Sequence, residues 1–418
     1  MRFLDQINKV PTPFNKEAGE AIALLFSSQP NKINQLIRGV GGCSPYLKGL
    51  LEIEYDWVLS ALDSQENILN AEFSRLKKTP SSEIKTALRV TKRRVALWSA
   101  LCDFSGIWEL NDVTNMLTQF ADLACQLALK VALETELSRG NIPGLEIDHS
   151  QEKTGMFVLA MGKMGAHELN YSSDIDLICF FDETQFLEEK YFDARKGFIR
   201  ATRLMSSILS DLTEDGYVFR TDLRLRPDPS VNPVCIATET AERYYESLGR
   251  TWERAAYIKA RVVAGDTKAG INFLHSLTPF VWRKYLDFAA IEDAHDIRLR
   301  IREHKGLGGA LKLLGHNIKL GSGGIREIEF FTQTRQLIAG GRDIDLRVRG
   351  TIDGLKNLSK KGWINKTVSE KLISHYTLYR NIEHRLQMVH DAQTHDLPKS
   401  IEGMERLSCM MGTTPDLL

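Results

Sequence analysis

The sequence predicts a predominantly helical α+β protein that contains one small mixed sheet. Long stretches at both ends of the chain place apolar residues at helical spacing. Between them, short apolar runs bounded by glycine or proline alternate with helical patterns, which is typical of a small sheet flanked by helices. At 418 residues, the chain is long enough for two or three domains with cores of their own.

Residues 1–140 are predicted to form an N-terminal helical region. The clearest pattern covers residues 112–137, where apolar side chains recur at helical spacing after Asn111, a candidate N-cap. The polar, proline-containing segment 77–82 is expected to be a surface turn between two helices.

Residues 141–265 are predicted to form the core that carries the sheet. We expect strands at 156–161, over the apolar run that Asp174 and Asp176 introduce, and at 217–226, with a helix at 187–215. The charged residues between Trp252 and Arg261 are interpreted as the face of one amphipathic helix that borders the cleft.

Residues 266–418 are predicted to be helical. One interruption is expected at 317–330, where a strand enters a glycine-rich turn and a new helix follows. Residues 345–395 alternate apolar and charged side chains at helical period, which indicates a helical bundle.

Asp174 and Asp176 are the first candidate site residues. Alternate side chains of a strand share a face, so these two carboxylates should point the same way. Two unpaired carboxylates repel by about 1 kcal/mol at ~4 Å in water, and by ~4 kcal/mol at an intermediate dielectric. A hard cation between them relieves this repulsion, and Mg²⁺ bound to phosphates is the usual one. The pattern predicts a metal-dependent nucleotidyl-transfer site.

The predicted strand at 217–226 supplies the second half of this constellation. Period two places Arg220, Asp222, Arg224 and Arg226 on one of its faces. Asp222 would complete the metal site, and the guanidinium groups would hold phosphate oxygens. An exposed strand with cross-strand ion pairs explains these four residues equally well when they are taken alone. The nearby aspartates favour the functional interpretation.

A glycine turn precedes the two aspartates. Gly162 and Gly165 end the first strand, and the expected reason is close approach of the backbone to a phosphate. Lys163 and Ser173 are candidate phosphate donors. His167 is interpreted as a surface or capping residue, because Mg²⁺ prefers oxygen ligands.

Two similar segments are interpreted as structural. Residues 343–346 repeat the letters DIDL, but no apolar strand follows them, so a solvated loop is expected. The glycine turn of 317–330 leads into a helix that begins with Arg326, Glu327 and Glu329. Such turns suit anions, but early glutamates also stabilise the helix dipole, and this second explanation is favoured.

Composition excludes several classes of protein. The chain has 54 basic and 54 acidic residues, whereas a general nucleic-acid-binding surface needs a basic excess. No signal peptide and no membrane-spanning apolar run is found. The six cysteines are scattered without a CxxC pair, so neither a disulfide framework nor a cysteine metal site is expected. We therefore expect a cytoplasmic protein without membrane or nucleic-acid partners.

Five segments of the chain resemble one family when they are taken in order. They are AMGKMGAHELNYSSDIDLICFFD, VFRTDLRLRP, GRTWERAAYIKARVVAGD, HNIKLGSGGIREIEFFTQTRQLIAGGRD and DAQTHDLP. They are similar to the bifunctional glutamine synthetase adenylyltransferase/adenylyl-removing enzymes of bacteria. The wording SSDID and GGIREIEF resembles the N-terminal, adenylyl-removing half of that family.

The resemblance implies a fold, a reaction and partners. It implies a DNA polymerase β-like nucleotidyltransferase core at 141–265, followed at 266–418 by helices like those of PII-uridylyltransferase. The implied reaction is phosphorolysis: phosphate enters, AMP leaves a tyrosine of glutamine synthetase, and ADP is released. Asp174, Asp176 and Asp222 would hold Mg²⁺ and carry the chemistry. The implied partners are glutamine synthetase, phosphate, ADP or ATP and, through the full-length enzyme, the PII signal protein.

Two other functions remain open at this stage. The same metal site would also serve ATP-dependent adenylylation of glutamine synthetase, the forward reaction. A regulatory or docking module without catalysis is the non-enzymatic alternative, and the intact aspartates speak against it.

Overall fold

The computed structural model describes residues 3–64, 68–145, 153–283 and 312–413. Within them the protein is predominantly helical and contains a five-stranded mixed sheet, which confirms the predicted α+β class. All five strands lie between Met156 and Gly265, and helices precede and follow them along the chain.

The N-terminal region consists of helices, as predicted. The surface turn expected at 77–82 lies between the sixth and seventh of them. Their bounds are α1 Phe3–Gln6, α2 Lys16–Leu25, α3 Asn31–Cys43, α4 Pro45–Ile53, α5 Tyr55–Asp63, α6 Ile68–Lys77, α7 Ile84–Phe104 and α8 Leu110–Ser138.

Helix α8 is the central helix of this region. It is long and apolar enough to cross a membrane, but 67% of its most apolar window is buried inside the protein, and it packs against α7 and the sheet. Its N-cap is Glu109, whose backbone N–H donates to Asp112 Oδ2 at 3.0 Å. The predicted cap at Asn111 is therefore wrong, because the helix begins one residue before it.

The sheet is mixed, and its strand order is β3-β2-β1-β5, with β4 also paired to β2. Strand β2 runs antiparallel to β1 and parallel to β3 and β4, while β1 runs antiparallel to β5. The bounds are β1 Met156–Ala160, β2 Ile175–Phe181, β3 Thr221–Asp222, β4 Cys235–Ala237 and β5 Arg261–Gly265.

The two faces of the sheet pack into different cores. Val158 and Leu177 face the large core that the N-terminal helices and the helix after β2 build. Phe157 and Phe180 face a smaller core formed with the helices that follow β4 and β5. The helices that follow β4 and β5 are α11 Thr238–Ser247, α12 Thr251–Tyr257, α13 Thr267–Ser276 and α14 Thr278–Val281, whereas α9 Gly162–Gly165 follows β1 and α10 Tyr191–Ser210 follows β2.

Two predictions about the sheet region are wrong. The strand expected at 217–226 is reduced to Thr221 and Asp222, because the chain turns directly after Asp222 and prolines follow. The single helix expected between Trp252 and Arg261 ends at Tyr257, and Arg261 begins β5. The prediction treated the whole segment as one helix, whereas its last residue is already the first residue of a strand.

The described residues after 266, which are 267–283 and 312–413, are mostly helical, and the rest of the prediction for 266–418 lies outside the described residues. The strand expected before the glycine turn is only a single bridge between Asn317 and Asp396. The second DIDL copy is a surface 3-10 turn in which Lys361 pairs with Asp343 and Asp345. The helices are α15 Ile325–Ala339, α16 Thr351–Lys360, α17 Lys366–Met388 and α18 Ile401–Met411.

Helix α17 fastens this segment to the rest of the protein. Arg385 pairs with Asp103 of α7 inside the protein, and its Nη1 lies 2.7 Å from Asp103 Oδ2. Ser44, at the start of α4, donates to the carbonyl of Met388 at 2.6 Å. The C-terminal segment therefore packs against the N-terminal helices.

Candidate active site

Two of the three predicted aspartates lie side by side on neighbouring strands. β2 and β3 pair in parallel with Asp176 directly opposite Asp222. Directly paired residues of adjacent strands point to the same face and lie about 5 Å apart. Asp174 comes just before β2, and the backbone N–H of Ile175 donates to the carbonyl of Arg220 at 2.9 Å. The structure therefore brings all three aspartates together, although the strand behind Asp222 is far shorter than predicted.

The electrostatics of Asp176 confirm this grouping. The pKa of Asp176 is raised to about 6, by burial first and then by the negative charges of Asp222 and Asp174, while Lys319 and Arg326 act in the opposite direction. Within the described parts of the chain, no lysine, arginine or histidine lies within 4 Å of its carboxylate. Asp176 is thus a carboxylate that carries a cost for its charge and has no ion-pair partner of its own.

Asp174 and Asp222 each have an arginine partner. Arg220 Nε lies 2.7 Å from Asp174 Oδ1, and the same guanidinium donates to the Tyr217 hydroxyl at 2.6 Å. Arg224 Nε lies 3.0 Å from both oxygens of Asp222. Hydrogen bonds from Arg224 lower the pKa of Asp222.

These three carboxylates decide whether the site suits a metal ion. In the described ranges, no group of three His, Cys, Asp or Glu side chains is already arranged around a common ion position. The donor chemistry nevertheless fits Mg²⁺, because all three residues offer carboxylate oxygens and Asp176 has no ion-pair partner within 4 Å among the described residues. Arg224 is 82% exposed, so its side chain can leave Asp222 without unpacking any core. Asp174, Asp176 and Asp222 are therefore the residues that could hold a hard divalent cation.

Gly162 and Gly165 are required by packing within the protein itself. Gly162 has φ +53°, and a Cβ there would lie 2.5 Å from Asp176 Oδ2. A Cβ on Gly165 would lie 2.0 Å from the carbonyl oxygen of Lys259. The first glycine thus makes room for the Asp176 carboxylate, and the second lets two backbone segments touch. Neither observation requires the predicted approach to a phosphate.

Lys163 and Ser173 are occupied by protein partners in this structure. Lys163 Nζ lies 2.9 Å from Oε2 of Glu383, which is fully buried on α17. Ser173 Oγ donates to the carbonyl of Asp174 at 2.9 Å. A phosphate would have to replace these contacts, so the predicted donor role of both residues has no support from their geometry.

The three arginines of the 220–226 segment do not share a strand face. Arg220 holds Asp174, and Arg224 is exposed beside Asp222. Arg226 donates to the carbonyls of Leu223, Asn232 and Pro229, which fixes the turn after β3. The predicted arginine face is wrong, because it assumed a continuous strand from 217 to 226. Arg224 remains the one of the three whose guanidinium is open to solvent.

Sequence reasoning missed two cations that face the aspartates. Lys319 and Arg326 flank the glycine turn before α15, and both act on the charge of Asp176. The prediction treated this turn as a structural helix start because two glutamates follow it. The sequence did contain a signal for them, because a lysine precedes the glycines and an arginine follows them. A helix start with a purely structural role needs neither positive charge.

A buried ionic network lies beneath the site. Glu383 is surrounded by Lys163, by Arg380 Nε at 3.3 Å and by His395 Nδ1 at 2.7 Å. Burial opposes the charge of Glu383, but Lys163, His395 and Arg380 hold its pKa well below the usual range. Burial lowers the pKa of Lys163 to about 7, with Arg380 and Lys319 adding to the effect and Glu383 opposing it. The turn that carries Gly162 is thereby tied to α17.

A second buried ionic group joins the same two parts of the chain. Lys259 Nζ lies 3.0 Å from both Glu168 Oε2 and Glu329 Oε1. Glu168 also accepts from the backbone N–H of Thr351 at 2.7 Å, at the start of α16. The loop after β1 and the C-terminal helices are consequently held in one fixed arrangement around the aspartates.

Comparison with known proteins identifies two families along the chain. The glutamate-ammonia ligase adenylyltransferase model matches residues 35–276, and the GlnD PII-uridylyltransferase model matches residues 295–417. The first match contains all three aspartates, and the second contains Lys319 and Arg326.

Curated relatives carry one shared description, bifunctional glutamine synthetase adenylyltransferase/adenylyl-removing enzyme. The relative from Bradyrhizobium sp. (strain BTAi1) is 45% identical over 396 residues, which is 93% of this chain and 40% of that protein. The relative from Rhodopseudomonas palustris (strain TIE-1) is 44% identical, covering 95% of this chain and 40% of that protein. The relative from Agrobacterium fabrum (strain C58) is 49% identical over 79% of this chain and 33% of that protein. The chain thus spans about 40% of the length of the first two relatives.

Proposed function

Because the chain belongs to the glutamate-ammonia ligase adenylyltransferase family, we propose that it removes AMP from an adenylylated tyrosine of glutamine synthetase by phosphorolysis. The observation that supports this most is the register of β2 and β3, which sets Asp176 beside Asp222 with Asp174 adjacent. The fold that goes with this proposal is a DNA polymerase β-like core. The direction, removal rather than addition, rests on the SSDID and GGIREIEF wording.

The proposed reaction exchanges one phosphorus–oxygen bond for another. An oxygen of inorganic phosphate bonds to the α-phosphorus of AMP, and the bond from that phosphorus to the tyrosine oxygen breaks. The products are ADP and a phenolate, which takes a proton from water. A tyrosine phenol has a pKa of about 10, so its oxygen is an acceptable leaving group.

The aspartates would bind Mg²⁺ in this proposal. When bound, Mg²⁺ supplies charge stabilisation for the attacking and leaving oxygens. Asp176 is the central ligand candidate because it has no cation partner among the described residues, and Arg220 orients Asp174. Arg224 would release Asp222 and, being exposed, is the guanidinium of its segment best placed to meet a phosphate oxygen.

Asparagine variants of the aspartates test this proposal. Asp176→Asn keeps the shape and removes the charge, so ADP release from adenylylated glutamine synthetase with phosphate and Mg²⁺ should fall at least about a hundredfold. Asp193→Asn, an exposed position on α10, is the matched control and should leave the rate unchanged. An Asp176→Asn protein that folds and retains full activity would refute the assignment.

The forward reaction is a second candidate, and the name of the matching family model favours it. The same aspartates would then bind Mg²⁺ and ATP and transfer AMP to glutamine synthetase. Incubation with labelled ATP and unmodified glutamine synthetase separates the two directions. Label on the tyrosine would show transfer, whereas ADP release from the adenylylated protein would show removal.

A further inference from the structure

The C-terminal segment presents two positive side chains to the aspartates. Lys319 precedes the glycine turn 321–324, and Arg326 lies in the first turn of α15. Lys319 Nζ lies 3.4 Å from His395 Nε2, and His395 Nδ1 lies 2.7 Å from Glu383. Glu383 also pairs with Lys163, whose neighbour Gly162 lies against the Asp176 carboxylate, so the contacts of Lys319 lead to the aspartate site. Neither Lys319 nor Arg326 forms an ion pair within 4 Å in the described parts of the chain.

The backbone holds these two cations beside each other. The backbone N–H of Arg326 donates to the carbonyl of Lys319 at 2.9 Å, and the N–H of Ile325 donates to the carbonyl of Ile318 at the same distance. Burial lowers the pKa of Lys319, and the positive charge of Arg326 lowers it further. Two like charges that are held close together repel, and an anion bound to both relieves the repulsion. The fold therefore maintains an arrangement that an anion would stabilise.

Most of the hydrogen-bonding capacity of these two side chains is unused. Lys319 Nζ has one contact among the described residues, with His395 Nε2 at 3.4 Å. Burial lowers the pKa of His395, and the neutral ring can accept from Lys319 while its Nδ1 lies 2.7 Å from Glu383. His395 and Glu383 therefore hold the Lys319 side chain in position. The Arg326 side chain is exposed and forms no hydrogen bond with any described residue.

Three of the four backbone amides of the glycine turn donate within the protein, and the first is Gly321 N–H, which donates to the carbonyl of Asn317 at 2.8 Å. Gly323 N–H donates to Glu327 Oε2 at 3.0 Å, and Gly324 N–H donates to the carbonyl of Gly321 at 3.1 Å. The next two amides are bound to Ile318 and Lys319, as described above. An anion at this position would therefore be bound mainly by side chains, and Lys319 and Arg326 flank the turn with positive charge.

We propose that Lys319 and Arg326 bind a phosphate group opposite Asp176, so that the C-terminal segment supplies the anion-binding half of the site. An ammonium and a guanidinium are the usual partners of phosphate oxygens, and Arg326 offers a bidentate pair of donors. The group is either the attacking inorganic phosphate or the phosphate of AMP. This proposal rests on the proposed function and adds the residues that select its phosphate ligand.

Substitutions that remove each charge test the proposal. Lys319→Met and Arg326→Gln should each weaken binding of inorganic phosphate and of ADP, measured by calorimetry with Mg²⁺, by about ten- to a hundredfold. In the deadenylylation assay the same variants should raise KM for phosphate more than they lower kcat. Lys356→Met, an exposed position on α16, is the control and should bind both ligands as the unmodified protein does.

Binding of AMP distinguishes the two sources of the phosphate. Unchanged AMP affinity together with weaker phosphate and ADP binding would assign the attacking phosphate, and weaker AMP binding would assign the nucleotide phosphate. Binding of all three ligands within twofold of the unmodified protein would overturn the proposal.

Two features keep this test independent of folding and of the proposed function. Arg326 is exposed, so Arg326→Gln leaves the core intact, and Lys319→Arg should restore binding that Lys319→Met removes. If the unmodified protein released no ADP from adenylylated glutamine synthetase, the proposed function would fail. The binding measurements would still decide whether Lys319 and Arg326 hold phosphate.

Discussion

Replacing Glu383 by glutamine should destabilise the protein strongly. Glu383 is fully buried and is the shared counter-charge of Lys163, Arg380 and His395. Removing one partner of a buried ion pair costs about 3–5 kcal/mol, because the remaining charge has no compensation. Lys163 already has its pKa lowered to about 7 and can release its proton, which relieves part of the cost. We therefore expect a loss near the lower limit, about 3 kcal/mol, at pH 8.

The predicted loss depends on pH in a definite direction. The folded-state pKa of Glu383 is depressed, so its contribution to stability is fully present above the unfolded value of about 4.3 and is lost as pH falls below it. The difference between the two proteins should shrink below pH 4. Between pH 8 and pH 6 it should grow, because Glu383 raises the pKa of Lys163 and the unmodified protein therefore binds this proton more tightly than the variant does.

Urea unfolding followed by tryptophan fluorescence and circular dichroism measures these differences. Glu370→Gln is the matched control, because Glu370 lies on the same helix, is 64% exposed and pairs with Lys366 at 3.8 Å. It should cost no more than about 0.5 kcal/mol. The double variant Lys163→Met, Glu383→Gln should regain part of the lost stability. If the Glu383→Gln protein were as stable as the Glu370→Gln protein, the ion pair between Glu383 and Lys163 could not be what fixes the Gly162 turn to α17.

Two further predictions follow from particular contacts. Gly162→Ala should reduce ADP release at least about tenfold, because the new Cβ would lie 2.5 Å from Asp176 Oδ2. Gly216→Ala is the control, since Gly216 has φ +87° and open space around it. This control should lower stability by about 1 kcal/mol through backbone strain and leave the rate unchanged. Equal rates in the two alanine variants would contradict the packing argument. Asp103→Asn should lower stability by about 3 kcal/mol at pH 7. Burial opposes the charge of Asp103, but Arg385 keeps its pKa well below the usual range. Thermal unfolding should therefore show this difference decreasing progressively as pH falls below about 4, and a constant difference would argue against the ion pair.

The fold class and the aspartate-bearing strand were predictable because local patterns carry them. An apolar run such as Ile175–Phe181 is buried on both faces in the structure and was recognisable as a strand from its composition. The turn with Gly162 was also recognisable from the sequence, but the reason for the glycine was not. The glycine is needed because the Asp176 carboxylate lies against it, and a loop separates these two residues in the chain.

The arginine face failed for a general reason. Period two in a sequence predicts a shared face only where the strand continues, and pairing with β2 ends at Asp222. The short strands β4 and β5 were missed because their three and five residues carry too little pattern to be distinguished from neighbouring helices.

The sequence by itself determined the family, the helical character and the identity of the three aspartates. These features are encoded in contiguous segments, where residue type, spacing and turn chemistry act over short distances. Only the tertiary structure decided that Asp222 stands opposite Asp176, that Lys163 is occupied by Glu383, and that Lys319 is linked through His395 to the same Glu383. Those relations join residues far apart in the chain, and they are set by strand register and helix packing, which no local pattern records.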